Sequence, residues 1–112
     1  MSLAEQETAS PSARLQNTIH PGVQRRKSRW GHRMAYWTQN REFAHFQNEN
    51  MLDIRITRGW LNLMRREPLD RRITLRPRPS DWIEFKITNR GDMDAAFKLA
   101  KLALRNNRSA SI

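Results

Sequence analysis

Two periodicities meet within residues 82–106, and together they leave few folds open. In residues 82–87, Ile83, Phe85 and Ile87 alternate with Trp82, Glu84 and Lys86, the period-two pattern of a strand with one face in a core. From Met93 onward the period lengthens: Ala96, Phe97, Ala100, Ala103 and Leu104 recur at spacings of three and four, with Asp94, Lys98, Lys101 and Arg105 opposite them. Between the two, Asn89 offers a capping oxygen, and Asp92 can reach back to that cap and complement the positive helix end. The stretch predicts a strand feeding a helix that starts near Arg90, lies on the sheet and frays beyond Asn106. The i,i+4 pair Asp94 and Lys98 is worth only about 0.3–0.5 kcal/mol when exposed, so the apolar stripe fixes the helix.

Upstream, strand patterns repeat at short intervals. Pro21-Gly22 is turn chemistry, after which residues 23–29 fit either a charged edge strand or a basic loop. In residues 32–38, Met34 and Tyr36 oppose Ala35 and Trp37; Gln39-Asn40 then turns the chain into residues 41–46, and residues 48–50 turn it again into residues 51–57. In that third strand Leu52, Ile54 and Ile56 alternate with Asp53 and Arg55, which predicts one buried and one solvent-facing side. Thr57 is placed to cap a short helix over residues 58–66, striped by Trp60, Leu61 and Met64 and ended by Pro68. Residues 71–76 read as a strand with Ile73 and Leu75 inward and Arg72, Thr74 and Arg76 outward. These elements predict an α+β fold of two layers, a mainly antiparallel sheet of five or six strands covered on one face by the C-terminal helix and shorter helices.

At 112 residues the chain has room for one domain. Residues 20–107 are expected to form it, behind a largely disordered leader over residues 1–19 with a short helix after Ser10-Pro11, and ahead of a disordered tail over residues 108–112. No cysteine is present, which excludes disulfides and thiolate zinc sites and fits a reducing, cytoplasmic setting. No run is long enough to span a membrane as a helix, so no membrane partner is expected. The net charge of +10 rests on 17 Arg and 4 Lys, a bias that favours forked contacts to phosphate or carboxylate, although genome composition produces the same bias without selecting a ligand.

The segments Arg41-Glu42-Phe43-Ala44-His45-Phe46 and Met51-Leu52-Asp53-Ile54-Arg55-Ile56 resemble the central strands of the uncharacterised luciferase-domain (luciferase-like) family. Residues 80–85 and 92–96 are similar to that family's closing strand and helix, and Pro21-Gly22-Val23 to the approach to its first strand, so the resemblance covers roughly residues 20–107. It implies a small α+β domain with no assigned reaction, light-producing or other. Many members of that family carry a second histidine two residues beyond the one matching His45; Gln47 stands there in this chain, which counts against a metal or acid/base site on a His-x-His pair.

Candidates for chemistry are few. His45, central in a strand, is the one candidate acid, base or ligand, although a strand histidine is more commonly hydrogen-bonded structure. His20 and His32 lack carboxylates at ligand spacing, no metal or cofactor is expected, and the four scattered glycines form no phosphate loop. The outward strand face is the main candidate surface: Arg55, Arg72, Arg76 and Arg78 with Trp82 and Lys86 would join guanidinium forks to an aromatic plane. The expectation is a non-enzymatic module binding an acidic protein or subunit partner, in an oligomeric state that the sequence leaves open. The alternatives are single-stranded nucleic-acid binding by the same face, and an enzyme with His45 as acid or base.

Overall fold

The computed structural model describes residues 22–31, 33–66, 68–76 and 80–109. The leader, His20, His32, Arg78 and the last three residues of the expected tail lie outside the described residues. Six antiparallel strands form one sheet: β1 (Gln24–Lys27), β2 (Met34–Thr38), β3 (Arg41–Asn48), β4 (Met51–Arg55), β5 (Ile73–Leu75) and β6 (Trp82–Lys86), in the order β1-β2-β3-β4-β6-β5. Helix α1 (Arg58–Met64) links β4 to β5, and α2 (Arg90–Ser109) packs on the sheet. The α+β architecture is the one the periodicities predict.

The β2-β3 hairpin turns at Gln39 and Asn40, both with positive φ (48° and 64°), the backbone pattern of a two-residue type I′ connection. The next turn is fastened by Asn48, whose side-chain oxygen accepts the Asn50 N–H at 2.8 Å. On one sheet face, Tyr36, Phe43, Ala44, Leu52, Ile54, Ile83 and Phe85 form the core with Ala96, Phe97, Ala100, Ala103 and Leu104 of α2. The alanines on that stripe let the helix axis approach the strands closely.

At its start α2 is capped by Asn89, whose side-chain oxygen accepts the Asp92 N–H at 2.8 Å. Asp92 reaches back one residue further than expected, accepting from the Thr88 amide at 2.9 Å and hydroxyl at 2.7 Å. At its end the helix continues to Ser109, so the expected fraying past Asn106 and the tail beginning at residue 108 are corrected. The reason is polar. Asn106 donates to the Ile56 carbonyl at 3.0 Å, and fully buried Asn107 donates to the Arg55 carbonyl at 2.9 Å and the Ala103 carbonyl at 2.7 Å.

The short helix departs from expectation in two ways. Thr57 occupies the N-cap position without a side-chain cap bond, at φ 82° and ψ 152°, because its N–H is drawn to the Asp81 carbonyl at 3.1 Å. A β-branched residue in that region is strained. Of the expected stripe, Leu61 is buried and Met64 half-buried against the core, while Trp60 is exposed.

Candidate functional site

Alternation assigns the second face of the sheet to Arg26, Ala35, His45, Asp53, Glu84 and Thr74, which lie side by side across all six strands. α2 does not cover this face. The centre is nonetheless buried, which corrects the expectation that Asp53 faces solvent: the Asp53 side chain is 2% exposed and that of Glu42 1%. Trp82 is buried as well, and the chain between β1 and β2 brings Trp30 against it, edge to face at 5.3 Å and 86°.

Two bulges arrange the polar centre. Tyr36 pairs with Ala44 and Trp37 with Glu42, so Phe43 is an extra residue on β3. That extra residue turns Glu42 to the same side as His45. The second bulge makes Gln47 the extra residue between the Phe46-Leu52 and Asn48-Met51 pairs. His45 consequently lies between two carboxylates, Nε2 at 2.8 Å from Asp53 and Nδ1 at 3.3 Å from Glu42, the latter a close approach without hydrogen-bond alignment. Glu42 uses its other oxygen to accept the Arg29 amide at 3.1 Å. Gln47 donates to both Asp53 oxygens at 2.8 Å, and Arg76 approaches Asp53 at 3.4 Å. Gln47 thus serves as a donor to the buried carboxylate.

Both imidazole nitrogens are turned to carboxylates, and the ring packs tilted against Trp82 at 5.3 Å. Nε2 is engaged by Asp53, while Nδ1 is enclosed beside Glu42 without an aligned hydrogen bond. Among the described residues, no group of three or more His, Asp and Glu side chains is arranged to hold a metal ion. Above the ring opens a cavity of about 460 Å³ lined by Trp30, His45, Arg76, Ser80 and Trp82.

The arginine patch expected from sequence does not form a single surface. Arg76, Trp82 and His45 meet at the cavity. Arg55 is turned to the end of the sheet, where its guanidinium bonds Asp81 at 3.0 Å and the side chain of Asn107. Arg72 precedes the short strand β5 and bends toward α2 instead of outward, bonding Asp70 at 2.7 and 2.9 Å and Asp92 at 3.2 Å, with its guanidinium over Phe85. Lys86 shares a separate cleft with Asp70, Arg72 and Asp92. Through its side-chain bond and then its amide, Arg72 lowers Asp70 to about 2; Asp92 is held below the ordinary carboxylate range by the Thr88 hydroxyl and amide and then by Arg72.

Other residues form the face that the patch was expected to provide. The edge strand β1 is exposed along its length, and its cation on this face is Arg26. Arg26 stacks over Trp37 at 4.4 Å, and Arg29 lies over Trp30 at 5.4 Å. Trp30 remains 62% exposed. Its backbone is set by Ser28, whose hydroxyl oxygen accepts the Trp30 N–H at 3.2 Å and whose own N–H bonds the Arg33 carbonyl. A tryptophan followed by Gly31 inside a basic run was the available signal for this loop.

No helix among the described residues is long and apolar enough to cross a membrane. The chain matches no family model, no curated protein and no solved structure.

Proposed function

We propose that the chain is a non-catalytic binding module that receives an acidic partner on the sheet face opposite α2, along β1 and the tryptophans beside it. The observation that carries this reading is the pairing of cations with tryptophans on that face: Arg26 over Trp37, Arg29 over Trp30, and Arg76 beside Trp82 in the cavity. Aromatic planes next to guanidinium groups offer an acidic partner both charge and contact area. The seating of His45 between two buried carboxylates, with Nε2 on Asp53, favours a structural role for the ring and so binding over proton-transfer chemistry. A cytoplasmic setting and membership of the luciferase-domain family belong to the same reading, and neither adds a reaction.

The test is titration of the full chain with labelled polyglutamate and with a labelled single-stranded oligonucleotide, beside a variant carrying Arg26→Gln and Arg29→Gln. Binding of at least one polymer should persist at about 150 mM salt and weaken in the variant. Its slope of log affinity against log salt for the oligonucleotide should flatten by about 0.7 for each phosphate contact removed. Loss of both polymers at that salt would refute the reading.

A further inference from the structure

We propose that the cavity between Trp30 and Trp82 is a nucleotide site, taking a base against the indoles and its phosphate on Arg76. This rests on the reading that the face opposite α2 receives an acidic partner, and it names the chemistry of that partner. The walls decide for a flat ring. Trp30 and Trp82 meet at 86° with centroids 5.3 Å apart, which makes a right-angled corner of one buried and one exposed indole, and His45 adds a third ring 5.3 Å from Trp82 and 6.2 Å from Trp30. A planar base can lie on one indole while its edge meets the other. An acidic peptide would bring carboxylates to the same cation but no flat ring for the corner.

The polar groups match the rest of a nucleotide. Arg76 is 40% exposed and spends one N–H on Asp53 at 3.4 Å, leaving the remainder of its fork for phosphate oxygens. Asp53 and Glu42 lie below His45 with their side chains almost fully buried, so the carboxylates that would repel a phosphate do not face the opening. Ser80 accepts the Trp82 N–H at 3.1 Å and keeps its hydroxyl proton to donate to a base or sugar. The volume of about 460 Å³ falls within the range of small-molecule sites, ~300–1,000 Å³.

The same chemistry arrives as a free mononucleotide or as one unit of a single strand. The experiment is calorimetric titration of the full chain with thymidine monophosphate, thymidine, ribose 5-phosphate and a thymidine oligonucleotide, with Trp30→Ala and Arg76→Gln alongside. Both substitutions fall on exposed side chains, and circular dichroism checks that each variant is folded. Thymidine monophosphate should bind at least about fivefold more tightly than ribose 5-phosphate, the lower end of base–aromatic stacking, and Trp30→Ala should erase that difference. Arg76→Gln should weaken the monophosphate and leave thymidine unchanged. An oligonucleotide that binds more than about tenfold tighter than the monophosphate, with the same dependence on Trp30, identifies a strand as the source, and equal affinities identify the free nucleotide; both support the site. Equal binding of ribose 5-phosphate and the monophosphate, or wild-type affinity in Trp30→Ala, overturns it. If polyglutamate or the oligonucleotide still binds in that case, only the nucleotide site fails. If no acidic polymer binds, the reading beneath it fails too.

Discussion

Glu42 and His45, three residues apart on one strand, face each other across 3.3 Å on the same side of the sheet. Regular alternation would put them on opposite faces, and the extra residue Phe43 is what brings them together. The consequence is a cluster of two buried carboxylates with a ring between them, beneath the cavity where Trp30 and Trp82 meet. Removing the ring should expose its energetic role. His45→Ala removes the contact to the buried Asp53 carboxylate and the imidazole beside Glu42, and should cost about 2–3 kcal/mol. The urea midpoint should fall with an unchanged slope, and Asp53→Asn in the His45→Ala background should recover part of the loss. A midpoint equal to wild type would show that the imidazole does not compensate these carboxylates.

Phe43 has a second role, as filler. It is fully buried in the core beneath α2, beside Ala44, so the bulge supplies a large side chain where the regular position offers a small one. Phe43→Ala should therefore destabilise by about 3–5 kcal/mol, read from the same urea transition.

The Arg72 cluster makes a pH-dependent prediction. Asp70 drops from its ordinary 3.8 to about 2 in the folded protein, and Asp92 is lowered too. A carboxylate lowered on folding contributes stability that is complete above its unfolded value and disappears as pH falls through its folded value. Arg72→Gln should therefore lower Tm most above about pH 5, with the gap to wild type closing between about pH 4 and 2. Because Asp70 and Arg72 are partly solvent-exposed, added salt should narrow the gap at neutral pH. A gap that widens on acidification would contradict the assignment.

The strands and the long helix were legible because each carries its own period. Ile83, Phe85 and Ile87 declare a strand face without knowledge of its neighbours, and Ala96, Ala100 and Ala103 declare a helix stripe. The candidate site was legible only in part, since His45, Arg76 and Trp82 meet at the cavity while Arg55 and Arg72 turn to partners elsewhere. Alternation gives the face of a residue on a regular strand, but a bulge resets it, and nothing local in Glu42-Phe43-Ala44-His45 marks the reset. Nor does alternation say what covers a polar face. Asp53 reads as solvent-facing until His45 and Gln47 of β3 and Arg76 beyond β5 are brought over it.

The end of α2 shows the same limit and gives the last prediction. Asn106 and Asn107 break the apolar stripe, which reads as fraying, yet Asn107 is fully buried and ties the last turns of α2 to β4. Its amide donates to the carbonyls of Arg55 and Ala103 while its oxygen accepts from the Arg55 guanidinium, so one side chain satisfies three groups. Asn106 satisfies only the carbonyl of Ile56. Asn107→Ala should thus cost about 2 kcal/mol or more and Asn106→Ala about 1 kcal/mol. Hydrogen exchange should also quicken in the last turn of α2 for Asn107→Ala before it changes at Asn89, because the cap at that end is untouched. Equal costs for the two alanines would mean that the helix end is held by its apolar contacts, Ala103 and Leu104, and not by the buried amide.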